Sequence, residues 1–234
     1  MKKRMKIISY NINDCQSWKI RSLLEMGADV LVVPEITCTE DAQLPDDYEM
    51  KWQGVEYFHH ERKWKGLGII WKKGLGYVPE WYNLNLMYAI PLVVGEYLII
   101  GFWPTKHTDG RPKKPYPQIA QDIINEYAQY LKGYKTLVIG DFNCYRNQSD
   151  ATKQSGDILK VNDLLKSYGF HSLYHQKTGE AFGRESTPTF YFHFDENKPF
   201  FLDYAYTNFP VASFHMLPWD REMSDHVGQV IEII

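Results

Sequence analysis

The 234-residue chain has three cysteines, Cys15, Cys38 and Cys144, an odd number with no C-x-x-C spacing. Neither a disulfide framework nor a zinc site is indicated, and the three read as small buried thiols. Long apolar runs are also missing. No segment could span a bilayer, and the apolar stretch in the basic start MKKRMKIISYNIN is too short for a secretory leader. The expectation is a cytoplasmic protein with no membrane partner. Neither sign of charge dominates, with 26 Lys and Arg against 29 Asp and Glu and a net charge of -3. A strongly basic nucleic-acid arm is therefore excluded, and any anionic partner must meet a local basic patch. No repeat, low-complexity tract or Ser/Gly linker divides the chain, so one domain over residues 1–234 is expected, its oligomeric state unspecified.

What is present is alternation of short apolar runs with helical periodicity. Strands are expected over 5–12, 28–36, 66–72, 96–103, 135–141, 188–194, 200–206 and 226–234, all rich in β-branched or aromatic residues. Ile20, Leu23 and Leu24 share one face of a short helix that ends at Gly27, where glycine takes positive φ without steric cost. Ile119, Ile123, Ile124, Tyr127 and Leu131 form a second apolar stripe, and Ile158, Val161, Leu165 and Tyr168 a third. A sheet with helical cover follows, and the mixed order argues against a simple doubly wound fold.

The stretch TLVIGDFN, residues 136–143, runs an oily segment straight into Asp141 and Asn143. The pattern repeats where SYNIN reaches Asn11, VVPEI reaches Glu35 and FLDY reaches Asp203, while Asp225 and His226 open the last strand. A carboxylate at the lip of a buried strand loses hydration, a loss best offset by a cation or a hydrogen-bonded partner. Oxygen donors of this kind suit a hard divalent ion such as magnesium. Each such aspartate taken singly is an ordinary turn or cap residue; together they point to a site.

SYNIN, VPEIT, GDFNCY, FLDYAY and SDHVG, in that order, resemble the successive motifs of the endonuclease/exonuclease/phosphatase superfamily, which includes deoxyribonuclease I, exonuclease III and the abasic-site endonucleases. KGLGIIWKK and TPTFYF are similar to two further family strands. The resemblance implies an α/β fold, a four-layer α-β-β-α sandwich of two mixed sheets flanked by helices, with the site at one end. By motif position it implies that Glu35 holds the metal, magnesium or alternatively manganese. Asn11 and Asn143 would position the phosphate and the attacking water, and Asp141 would serve water activation or leaving-group protonation. His226 with Asp203 looks like the family's His-Asp dyad, and Asp225 lies where the family places a carboxylate near the metal. An imidazole with a carboxylate partner has a fixed tautomer and a favoured cationic form, which suits an anionic phosphate.

Three positions depart from the pattern. Asn13 stands near the metal region where abasic-site endonucleases tend to carry an aspartate. Phe102 or Trp103 falls where the family places a tyrosine or histidine, leaving the Trp103 indole N–H, or Thr105, Lys106 or His107, to steady the leaving group. FFLDY lacks the polar residue often found two places before the aspartate. Arg62, Lys63, Lys65, Lys72 and Lys73 beside Trp64 and Trp71, and Lys106, Arg111, Lys113 and Lys114, offer cations and rings for a phosphodiester backbone. Solvated loops with inward tryptophans are the alternative. Lys63, Lys65, Trp103 and His107 are the candidates for substrate binding. The polar segment 171–190 reads as a loop, with His171, His175, Glu180, Arg184 and Glu185 as specificity candidates or solvent-facing residues. The leading expectation is a magnesium-dependent phosphodiesterase acting on nucleic acid, DNA before RNA. A small or lipid-linked phosphoester substrate and a non-enzymatic binding module with a decayed site are the alternatives.

Overall fold

The computed structural model describes residues 4–14, 16–37, 42–54, 65–86, 88–105, 114–146 and 157–234. Strands β1 (Met5–Ser9), β2 (Val30–Ile36), β3 (Tyr48–Gly54), β4 (Gly66–Lys72), β12 (Ser213–Met216) and β13 (Gln229–Ile233) make a six-stranded sheet in the order β12-β13-β1-β2-β4-β3. Strands β5 (Ala89–Val94), β6 (Tyr97–Phe102), β7 (Lys135–Asp141), β8 (His171–Ser172) and β11 (Asp203–Thr207) make a five-stranded sheet in the order β5-β6-β7-β11-β8. Each sheet is mixed: β1 runs parallel to β2 and antiparallel to β13, and β7 runs parallel to β6 and antiparallel to β11. A two-stranded ribbon pairs β9 (Phe190–Tyr191) with β10 (Pro199–Phe200).

Alternation along the strands explains why they read as continuous apolar runs. Ile7, Val30, Val32, Leu67 and Ile69 face the second sheet, whereas Ile8, Leu31, Val33 and Ile70 face the other way, onto Ile20, Leu23 and Leu24 of helix α1 (Ser17–Glu25). Helix α2 (Tyr116–Leu131) buries its expected stripe on the larger core, which also holds the five-stranded sheet, and α3 (Ile158–Ser167) buries Ile158, Val161 and Leu165 there, with Tyr168 just beyond its end and half-buried. Four layers result, helix, sheet, sheet, helix. Each fully buried Leu, Ile or Val side chain contributes roughly 1.5–3 kcal/mol, so the sandwich can hold strained or charged groups at one end.

The structure departs from the sequence expectation in particular places. The strand expected over 188–194 is only two residues long and passes into a 3₁₀ turn at Phe192–Phe194, where His193 and Phe194 adopt positive φ and so cannot continue it. Edge strand β3 was not expected because YEMKWQG is half polar. Strand β5 was hidden by Pro91, which is tolerated because this strand also lies at a sheet edge. The segment 171–190 is not simply a loop: it opens with β8 and helix α4 (Leu173–Thr178), closed by Gly179 at φ 74°. Among the described residues no helix is long and apolar enough to cross a membrane.

Candidate active site

The site lies where ends of both sheets meet. Asp141 closes β7, Asp203 opens β11, and the antiparallel register sets these two residues directly opposite one another. Gly140 makes that closure possible: its φ is 151°, and a Cβ there would lie 1.9 Å from the Phe102 carbonyl oxygen on the neighbouring strand. Beyond β1 the backbone keeps bonding to its neighbour, with the Tyr10 N–H donating to Val32 O and the Ile12 N–H to Pro34 O. Asn11 between them is thereby fixed and wholly buried. Glu35 sits in a β-bulge, where the pairing of β2 with β4 shifts between Pro34 and Ile36, and has φ 60°. The bulge turns its side chain out of the ladder and toward Asn11.

These residues interlock. Asn11 Nδ2 donates to Glu35 Oε1 at 3.1 Å and to Asp141 Oδ2 at 3.0 Å, and lies 3.2 Å from His226 Nε2. On the far side of the imidazole, His226 Nδ1 donates to Asp203 Oδ2 at 2.9 Å. Asp203 is held in turn by Thr189, whose Oγ1 accepts the N–H groups of Asp203 and Leu202. The Asn143 N–H donates to Asp141 Oδ1 at 2.8 Å, and its side-chain Nδ2 to Pro104 O. Asn143 itself is left-handed, at φ 52°, which asparagine tolerates better than most residues. Glu35, Asp141 and His226 each offer a ligand atom, all within 4.8 Å of one another.

Electrostatics tie the group together. Burial pushes the Asp141 carboxyl up to about 7, with Asp203 adding to the rise and the His226 charge opposing it. Burial also raises Asp203 against the pull of His226. Burial would lower His226, but the Asp203 carboxylate overrides it and carries the imidazole up to about 10. For Glu35 burial is again the largest influence, upward, yet Lys65 and His226 together bring the carboxyl below its ordinary value. Lys65 Nζ lies 2.6 Å from Glu35 Oε2 and 3.0 Å from Asn13 Oδ1. The residues fit a hard divalent cation: the Glu35 and Asp141 carboxylates converge, and a cation beside Asp141 would restore its anionic form, while the cationic His226 borders the pair.

The remaining candidates fall variously. Asp225 is partly exposed, accepts from Ser224 Oγ at 3.3 Å, and is not one of the three converging groups. Trp103 is buried edge-on against Tyr88, with ring centroids 5.0 Å apart, and its indole N–H has no partner among the described residues. Phe102 is buried against Phe142. Lys63 and His107 lie outside the described residues, as do Arg62, Trp64, Lys106, Arg111, Lys113, Cys15 and Cys38. Cys144 is a buried thiol. The basic patch drawn from Lys65 through Lys72 is split: Lys72 pairs with Asp29 at 2.7 Å beside the opposite end of β2, about 20 Å from Lys65 along a strand rising ~3.3 Å per residue. Trp71 beside it is core. In segment 171–190, His175 Nδ1 meets Ser172 Oγ at 2.8 Å and its Nε2 meets Glu185 Oε1 at 3.1 Å, while Glu180 accepts from the Tyr174 hydroxyl. Those side chains bind their own segment. Thr189 was not among the expected residues, although TPTF contained it.

The structure is thus a two-sheet sandwich that carries buried acids and a His-Asp pair at one end. Residues 8–226 match the model of the Endonuclease/Exonuclease/phosphatase family, and the chain belongs to that family. Curated proteins offer no significant sequence match. Among solved structures, the 3′ phosphatase NExo from Neisseria, bound to product DNA hairpin, is similar at 16% identity over 98% of this chain and 99% of that one, with a TM-score of 0.70. The endonuclease domain of TRAS1, a telomere-specific non-LTR retrotransposon, is 11% identical over 99% and 98%, with a TM-score of 0.65. A family protein from Leptotrichia buccalis is 15% identical over 98% and 99%, with a TM-score of 0.64. At these identities the likeness establishes the fold.

Proposed function

We propose that the protein is a divalent-metal-dependent phosphoester hydrolase acting on nucleic acid, DNA foremost, by in-line attack of water on phosphorus. The observation that carries this reading is the convergence of Glu35, Asp141 and His226, with Asp203 behind the imidazole, at one end of a fold of this family. Glu35 and Asp141 would hold a magnesium or manganese ion, which when bound supplies Lewis-acid withdrawal of charge from the phosphoryl group. The His226 imidazolium, kept protonated by Asp203, offers its Nε2 proton to a phosphoryl oxygen as negative charge grows there. Asp141, kept anionic by the bound cation, accepts the proton of the attacking water, and the leaving oxygen takes a proton from solvent. Asn11 keeps both carboxylates in register, and Asn143, tied to Asp141 through its backbone, borders the same space. Lys65 has a third N–H for a phosphate oxygen.

Two of the similar structures support a nucleic-acid substrate, one a 3′ phosphatase with product DNA and the other an endonuclease domain. The remote position of Lys72 favours a second reading, a small phosphoester substrate, because it removes one cation from any polynucleotide track. A magnesium-supplemented panel of duplex, nicked, abasic and 3′-phosphorylated DNA, RNA and a small phosphodiester separates the two. Glu35→Ala and His226→Ala are each expected to lower metal-dependent hydrolysis by about a hundredfold or more, since each removes a distinct electrostatic contribution. Near-native rates in both variants would end the proposal.

A further inference from the structure

Lys65 forms part of a closed circuit of hydrogen bonds. Its ammonium donates to Glu35 Oε2 and Asn13 Oδ1, the Asn13 N–H donates to Asn11 Oδ1 at 3.0 Å, and Asn11 Nδ2 donates back to Glu35 Oε1. The two oxygens of Glu35 therefore have different environments. Oε1 shares its donor with Asp141 inside the cluster; Oε2 is held by a fixed positive charge. Backbone geometry sets this up, because Lys65 immediately precedes β4, whose first residue, Gly66, pairs with Ile36 beside the Glu35 bulge. Asn13 contributes no charge of its own. A carboxylate at that position would add an anionic oxygen beside Glu35; here an amide oxygen and an ammonium stand there instead.

We infer that Lys65 is a resident cation of the metal site: it retains Glu35 Oε2, confines a divalent ion to the side shared by Glu35 Oε1 and Asp141, and so limits the site to one ion. The inference rests on the metal-site reading above. An exposed Lys-Glu pair would be too weak and too screened to act this way. This one is partly sheltered, and its carboxylate is itself one of the converging groups, so ammonium and metal compete directly for the same anion.

Calorimetric titration of the metal-free full chain with manganese reads the competition without any substrate. The wild type should bind one ion, and Lys65→Met should bind it about tenfold or more tightly, because the competing and repelling charge is gone. Lys65→Arg should match the wild type, and the double variant Asn13→Asp with Lys65→Met should take up a second ion. Lys65→Gln makes the same test if the methionine variant does not fold. An unchanged or weakened affinity in the neutral variant, or two ions in the wild type, would overturn the inference. No manganese uptake by any form, together with no hydrolysis on the substrate panel, would instead overturn the metal-site reading on which it rests.

Discussion

Asp203→Asn removes one negative charge from the far side of His226 and leaves the shape of the site intact. In the folded protein His226 Nδ1 lies 2.9 Å from Asp203 Oδ2 with both side chains buried. With charge centres roughly 4 Å apart and an effective dielectric of about 20, the attraction is about 4 kcal/mol. That corresponds to roughly a thousandfold in the protonation constant, comparable with the rise of the imidazole from 6.5 to about 10. The sign is fixed by the charge type: a base held above its ordinary value stays cationic to higher pH. His226 should therefore remain protonated from pH 5 to pH 9 and lose its proton only near 10. In the variant only burial and weaker, more distant carboxylates act on the ring, so its titration should move into the range of an ordinary histidine or below. Proton NMR of the imidazole Cε1–H in metal-free protein follows this directly. On the proposed mechanism, hydrolysis at neutral pH should fall by about a hundredfold, because the imidazolium assigned to the phosphoryl oxygens is largely lost. An imidazole in the wild type that titrates near 6.5, unmoved by the substitution, would refute the reasoning.

Gly140→Ala should destabilise the fold by about 3 kcal/mol, a drop of roughly 6–12 °C in melting temperature, since its Cβ meets backbone rather than a movable side chain. Thermal unfolding checks it, and a shift under two degrees would contradict the close approach. Thr189→Val keeps the volume but deprives the Leu202 and Asp203 N–H groups of their acceptor, costing about 2 kcal/mol or more in chemical denaturation and lowering turnover through a displaced Asp203. Unaltered stability would show that these donors find other partners. Glu35→Gly should be more stable than Glu35→Ala by about 1 kcal/mol, because φ 60° suits glycine better than alanine; the reverse order in urea unfolding would deny the strain at the bulge.

The convergence of the candidate site was partly legible because its residues follow apolar runs. TLVIG is buried on both faces, so Asp141 at its end had to be either a cap or a functional group, and VVPEI and FLDY made the same statement about Glu35 and Asp203. What those runs could not reveal is which strand ends coincide. Asp141 ends a strand and Asp203 begins one, and only the antiparallel register of β7 with β11 turns an end and a beginning into neighbours. Lys65 and Lys72 looked alike as members of one basic stretch, but the strand between them carries one to the site and the other to the opposite edge. Pro34 was an available signal of the bulge at Glu35, since proline inside a central strand belongs where the ladder is interrupted. The polar character of 171–190 was misleading for a simple reason: Ser172, His175 and Glu185 satisfy one another and need no solvent.

The same contacts that compose the site also fasten the two sheets at this end. Asn11, Glu35 and His226 come from the six-stranded sheet and its extensions, Asp141 and Asp203 from the five-stranded one, and both the Asn11–Asp141 and the His226–Asp203 bonds cross between them. Three carboxyls stand here against two cationic groups, His226 and Lys65, so the cluster is short of positive charge by about one. Burial makes such an imbalance costly, and it shows as the raised Asp141 and Asp203 carboxyls rather than as unfolding, because the sandwich holds the groups in place. A site held together by an unmet need for positive charge suits a divalent ion, which is what the proposed function asks of it.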